Sequence, residues 1–360
     1  MPDDGLTGGN FGSNVAVSGN TMAVGSTRSV TGAPPMGAVY VYERGSSGWE
    51  FKQRLDPHDC LYMTGGVAVS SEFIAAKCSI DEPIQVFRRI DGDWQHFQSL
   101  SRSNALHDAF PTEIAMSDRW LVASAPQSTH SGKQTGSLVV YEFNGTNWDE
   151  DVELIPSDLT YWNLQWIGQK IDMTSNYIVA RTRKNRVIVW SLLGSTWTWI
   201  TSLYVDAVNY PVDVAVSTEG VIAASSEEEV TGLGTGAVYV WRPTSPINWT
   251  QDAILHPLSS YGDFGQPMVF TNDLLLVGSG VTGGVFRLYY EYSGNWYEEP
   301  MLPSLYGRAL DGDENTWVVG NPTLNGTGSA ELFDFFAFNG GVFLDGFEWG
   351  DTSAWASTTP

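Results

Sequence analysis

The chain has 360 residues, 42% apolar and 16% charged, with 38 glycines and 15 tryptophans. That is long enough to bury a sizeable core, and the mix suits short strands joined by tight turns. Eighteen basic residues against 41 acidic ones leave a net charge of −23, which argues against nucleic acid or an anionic membrane surface as a partner.

In chain order, FGSNVAVSGNTMAVGS (11–26) reads as a hairpin turning at Gly19-Asn20. A third apolar run, GAVYVYER, follows, and then GWEFKQRL, opened by Trp49. The same order returns along the chain. The first run recurs as VAVS at 67–70, IAMS at 114–117, IDMT at 171–174, VAVS at 214–217, MVFT at 268–271, and in worn form as RALDGDEN at 308–315. The fourth run begins at Trp94, Trp148, Trp197, Trp249 and Trp296 in later units.

Each unit spans roughly 40–55 residues and holds four short strands, the size of a propeller blade. One such sheet cannot bury both faces, but sheets packed around an axis bury each other. The repeats therefore predict an all-β, seven-bladed β-propeller with four antiparallel strands per blade. It forms one domain over 1–346, with blades at 11–58, 61–102, 107–156, 166–204, 210–257, 263–302 and 305–346, and a tail at 347–360. YEFNGTNWDED (141–151) aligns with FAFNGGVFLDG (336–346), so the last blade is expected to carry its own fourth strand, with Phe343 in the place of Trp148. Ring closure should then rest on side-chain packing between blades seven and one; pairing of the N-terminal segment into blade seven ranks second.

The recurrent Trp residues hold a fixed place in the repeat and are expected between blades, as are Trp190 and Trp241. Trp162, Trp166 and Trp199 lie off the pattern and are freer to meet a ligand.

The opening hairpin with GAVYVYER and GWEFKQRL resembles FG-GAP repeats, the blades of integrin-alpha-like propellers that many bacterial secreted and surface proteins carry. The resemblance covers about 11–345 and is strongest in units one, three and five. The Phe-Gly pair recurs at Phe11-Gly12 and Phe264-Gly265, with remnants of the Gly-Ala-Pro signature at 25–27, 124–126 and 320–322. It implies a seven-bladed propeller that binds protein or glycan rather than catalysing. The end, FLDGFEWGDTSAWASTTP, is similar to a short element on secreted proteins of Gram-negative bacteria, with Trp355 downstream; a plain disordered tail is the alternative. Together these point to an extracellular or cell-surface location, although MPDDGLTGGN has no secretory signal pattern. No run of eighteen apolar residues predicts a membrane span.

Many integrin-like blades hold Ca²⁺ between their first two strands. Here those turns (SGNT, SSEF, SDRW, TSNY, STEG, TNDL) are too short to supply six to eight oxygens. No cofactor is expected, and calcium is not favoured; DGDEN, read as a longer turn, makes Asp311, Asp313 and Asn315 the weak candidate. Cys60 and Cys78 are either one disulfide or two buried thiols. His58, His107 and His256 lie in blade-to-blade connectors and are expected on one rim near the axis, where His58-Asp59 and His107-Asp108 could meet Asp263. Their place on separate loops favours a non-catalytic reading over an axial constellation.

The loops between second and third strands are long in units one, three and five and share a face with the connectors. Ligand-binding residues are expected there: Arg28 and Pro34 in the first, His130 and Lys133 in the second, Glu227 and Glu228 in the third, and Arg183 and Lys184 in the neighbouring basic turn RTRKNR. The leading expectation is a non-enzymatic binding or adhesion module for a protein or glycan. The alternatives are an extracellular polysaccharide lyase or hydrolase using the axial pocket, or a structural part of a surface assembly.

Overall fold

The structure is a computed structural model that describes residues 10–27, 37–60, 62–103, 108–157, 165–205, 211–226, 236–257, 264–272, 274–279, 286–299, 307–313, 316–322, 328–338 and 341–345. Blade one consists of Asn14–Ser18, Thr21–Ser26, Ala38–Gly45 and Gly48–Leu55. Six further sheets repeat its order over 63–100, 114–154, 171–204, 211–255, 264–299 and 309–345. All seven are four-stranded and antiparallel, with the strands of each in chain order. The chain is thus a seven-bladed β-propeller, and no helix occurs among the described residues. Blade three adds a small hairpin, Thr129–His130 with Lys133–Gln134.

Second strands are covered on both faces by neighbouring blades, so they read as continuous apolar or small runs. TMAVGS, WLVASA and LLLVGS are buried at every position. Fourth strands lie at the rim and keep charge: WDEDVEL buries its two ends and exposes its centre.

The recurrent Trp residues fill the gaps between blades. Trp148 of blade three meets Phe73 of blade two edge to face at 5.2 Å, Trp197 meets Trp120 at 5.7 Å, and Trp249 meets Tyr177 at 5.7 Å. A glutamine of the preceding blade brackets the Trp backbone. Gln53 accepts the Trp94 N–H at 2.9 Å and donates to its carbonyl at 2.7 Å, and Gln98 does the same for Trp148. In blades one to five the outer strand carries one extra residue, a bulge opposite the third strand that bends the rim and re-aims side chains.

Blade seven has its own fourth strand: Gly341–Asp345 pairs with Ser329–Phe338, placing Phe343 opposite Phe336. Closure involves more than the expected side-chain packing. Phe11, Val15, Val24 and Tyr40 do pack with Ala309 and Val318. In addition, Phe11 forms a parallel bridge with Gly328. Gly328 has φ +88°, and a Cβ there would stand 2.0 Å from the Phe11 carbonyl oxygen, so the seam requires glycine.

The run DGDEN is not a long turn. Asp311 pairs with Val318 and Asp313 with Thr316, so only residues 314–315 lie between the strands, the same length as the Gly19-Asn20 turn. Both aspartates are strand residues that accept backbone N–H groups of blade one, Asp311 from Val17 and Asp313 from Gly19. Asn315 lies outside the described residues. Cys60 and Cys78 form a disulfide, joining the blade-one-to-two connector to the second strand of blade two.

Candidate functional site

The seven first strands line an axial channel of about 640 Å³. The hairpin registers put Ala16, Ala68, Ala115, Asp172, Ala215, Val269 and Asp311 at one equivalent position. The two aspartates that replace alanine act between blades. Asp172 accepts the Val216 N–H at 2.8 Å, and Asp311 accepts the Val17 N–H at 2.7 Å. Asp213, two residues earlier in the repeat, accepts the Met268 N–H at 3.0 Å. In each case a carboxylate of one blade holds the first strand of the next.

Desolvation pushes the Asp172 and Asp311 carboxyls up to about 7, against the pull of their backbone donors. Burial likewise raises Asp213. At the connector end of the channel Lys170 lies between carboxylates of blades three and five: its Nζ is 3.1 Å from Glu113 Oε1, and Glu113 first and Asp213 further down hold its ammonium above the usual lysine range. Lys77 donates to the Thr112 carbonyl, and burial lowers its basicity. This is a charge-alternating mouth whose carboxylates are already engaged by backbone or lysine.

A second feature lies on the same face, at the rim between blades three and four. The blade-three hairpin reaches the next blade through a parallel bridge, Gly136 to Ile167, and the Ile167 N–H donates to the Thr135 carbonyl at 2.9 Å. Gly136 sits at φ +76°, where a Cβ would stand 2.4 Å from the Ile167 nitrogen. This close approach holds Trp166 beside the hairpin. Its indole N–H donates to Gln134 Oε1 at 3.3 Å, and the Arg183 guanidinium lies 4.4 Å from its ring centre. Arg183 and the adjacent Lys184 are exposed and make no ion pair among the described residues.

Of the residues nominated from sequence, Arg183 lies against Trp166, Lys184 follows it in the chain, and His130 and Lys133 pair across the hairpin that carries Gln134. His130 is half-buried and braced, with Nδ1 3.1 Å from Thr135 Oγ1 and Nε2 3.1 Å from Glu153 Oε1. Glu153 also receives Arg102, which in turn reaches Asp108. Arg28, Pro34, Glu227 and Glu228 lie outside the described residues, as do His107, Trp162 and Asp263. Trp199 is packed against the blade-three-to-four core. His58 does not approach the axis: it stacks on His96 of the blade-two outer strand, because a connector starts at the periphery and His58 stands near its beginning. The Trp166–Arg183 pair and the inter-blade carboxylates have no motif of their own. The trace of Asp172 and Asp311 in the sequence is a departure from the repeat, Asp where four other units place Ala.

Residues 1–42 match the family model of the FG-GAP repeat. No curated protein matches the chain. Among solved structures, it is similar to a protein from Lactobacillus plantarum (13% identity, TM-score 0.60, covering 90% of this chain and 94% of that one). A candidate 6-phosphogluconolactonase from Bacteroides uniformis is similar at 11% identity and TM-score 0.61, over 90% and 94%. The Cps50 (Swd1) β-propeller domain from Myceliophteria thermophila is similar at 10% identity and TM-score 0.58, over 88% and 98%. At these identities the likeness is one of fold.

Proposed function

The chain is a seven-bladed β-propeller that carries an FG-GAP repeat, and from that premise we propose that it is a non-enzymatic binding module, secreted or displayed at a cell surface, that takes a protein or glycan ligand on its connector face. The observation that carries this reading is the rim of blades three and four. Three separated segments meet there and hold Trp166 and Arg183 together, with exposed Lys184 next to Arg183 in the chain. An indole offers flat apolar area and a guanidinium offers a planar fork of donors, a pairing suited to a carboxylated sugar or an acidic side chain. In a chain of net charge −23, a local cationic spot orients an anionic partner that the remaining surface repels. Rigid blades under the loops keep the ordering cost of binding small.

The engagement of the channel carboxylates in inter-blade ties supports assigning them to architecture rather than to turnover. The Cys60–Cys78 disulfide supports an oxidising compartment. No helix among the described residues is long and apolar enough to cross a membrane.

The test is a glycan and protein binding screen on the pure chain, followed by Arg183→Ala with Lys184→Ala. Loss of binding at an unchanged melting temperature supports the rim. Undiminished affinity in the double variant moves the site elsewhere.

A further inference from the structure

On the outer side of blade two, far in the repeat from the channel, two of the five histidines of the chain lie together with an aspartate. His58 and Asp59 belong to the connector that follows Gly48–Leu55, and His96 belongs to the outer strand Asp93–Leu100. We propose that His58, Asp59 and His96 bind a first-row divalent transition metal, with Zn²⁺ as the reference ion.

The geometry is that of a ligand set before the ion enters. One ligand-type atom from each residue lies within 4.8 Å of the other two. The two imidazoles stack with ring centres 4.0 Å apart and planes 7° from parallel. His58 Nδ1 is 2.8 Å from Asp59 Oδ1. The other carboxylate oxygen accepts the Ser99 hydroxyl at 2.6 Å, and the same hydroxyl is 3.0 Å from His96 Nε2. Behind them Gln85, fully buried, accepts the Asp59 N–H at 3.3 Å and donates to Ser99 Oγ at 3.4 Å. The ligands are therefore oriented by an outer layer, as metal-binding imidazoles and carboxylates are.

Both segments are anchored. The Cys60–Cys78 disulfide begins one residue after Asp59. On the other side the bulge at Val86/Phe87 makes Phe97 the extra residue and sets His96 opposite Phe87, whose ring it meets edge to face at 5.8 Å. The ring with most freedom to adjust is His58, whose side chain is 57% exposed. Rotation of this ring brings its nitrogen to the roughly 2.0–2.1 Å that a Zn–N bond requires. The entering cation takes the place of the proton between His58 Nδ1 and Asp59 Oδ1; on a neutral ring that proton is rebound at Nε2 by exchange with solvent, so the imidazole that holds the metal stays neutral.

Two imidazoles and one carboxylate select Zn²⁺, Cu²⁺ or Ni²⁺ over Ca²⁺, which asks for six to eight oxygens. Three protein ligands also leave a coordination position open toward solvent, where a water or a donor from a bound molecule completes the shell.

The experiment uses the intact, disulfide-bonded chain. Zn²⁺ is titrated calorimetrically against the metal-free protein, with millimolar Ca²⁺ as competitor. The expected result is one Zn²⁺ per chain, unaffected by Ca²⁺, with affinity at least tenfold weaker in His96→Ala and in His58→Ala and unchanged in His256→Ala. Circular dichroism reports whether each variant is folded. A second measurement needs no variant: electron paramagnetic resonance of the Cu²⁺-loaded wild-type chain should show coupling to two imidazole nitrogens. Absence of saturable binding, binding undiminished in folded His58→Ala and His96→Ala, or a Cu²⁺ spectrum with fewer than two imidazole nitrogens overturns the proposal.

Discussion

The carboxylate of Asp311 accepts the backbone N–H of Val17 at 2.7 Å, across 294 residues of sequence. With the Phe11–Gly328 bridge it forms the seam at which the last blade meets the first. This acid is held in a costly environment: burial pushes it up to about 7 from an ordinary value of 3.8, and Asp172 adds a like-charge contribution.

The sign of the resulting pH dependence follows from linkage. An acid whose folded-state value is raised keeps its proton in the folded chain between about 4 and about 7, while the unfolded chain has already released it. The contribution of Asp311 and Asp172 to stability is therefore full below about 4 and is lost as pH rises toward 7. Urea midpoints measured from pH 4.5 to 8.5 should show Asp311→Asn close to wild type at the acid end and relatively more stable at the alkaline end. Parallel profiles for the two proteins would contradict the assignment. Asp311→Ala instead removes the acceptor of a channel-lining N–H and should cost about 1–3 kcal/mol.

Two tryptophans should behave in opposite ways. Trp148 is 1% exposed and packs between blades two and three, so Trp148→Ala should lose about 3–5 kcal/mol, read as a fall in the denaturation midpoint. Trp166 is half-buried at the rim and supports Arg183. Trp166→Ala should cost much less stability and should reduce binding of any ligand found on the connector face. Equal losses of stability in the two variants would show that Trp166 is a core residue.

Removing the residues after Gly340 deletes the strand Gly341–Asp345 and uncovers the ladder of Ser329–Phe338. The melting temperature of the whole ring should fall in a single transition, because blade seven touches blade one across the seam. An unchanged melting temperature would mean that this strand is dispensable to blade seven.

The disulfide closes a loop with a sequence separation of 18, for which chain-entropy arguments give about 3 kcal/mol. Cys60→Ala with Cys78→Ala should lower stability by about 2–4 kcal/mol. Mass spectrometry of the alkylated, unreduced wild type should find no labelled cysteine.

Calcium should leave the fold untouched. The turn between Ser18 and Thr21 holds two residues, and Asp313 is committed to the Gly19 N–H. Melting curves with millimolar Ca²⁺ and with a calcium-selective chelator should superimpose; a saturable rise with Ca²⁺ would refute this.

The blades were legible in the sequence because inter-blade burial imposes an apolar or small run on the second strands and a Trp at the outer-strand start of blades one to six. What those rules do not reach was harder to read. Asp-Gly-Asp at 311–313 carries turn-forming residue types, and local propensity alone makes it a loop; its strand conformation depends on N–H groups of blade one that no local pattern shows. His58 was misplaced for a related reason. A connector passes from the periphery to the axis within a few residues, and the sequence does not mark how far along that path a side chain stands. Arg183 and Lys184 could be nominated from the charge of RTRKNR, but the pairing of Arg183 with Trp166 depends on the Gly136–Ile167 bridge between blades.

Every sheet of the ring is drawn from one uninterrupted stretch of chain, the last included. Here a whole unit can be copied, lost or moved to another place in the reading frame without cutting a sheet. New termini placed in a connector would leave all seven sheets intact, so a circular permutant that joins the present ends across the Phe11–Gly328 seam is expected to close the same ring.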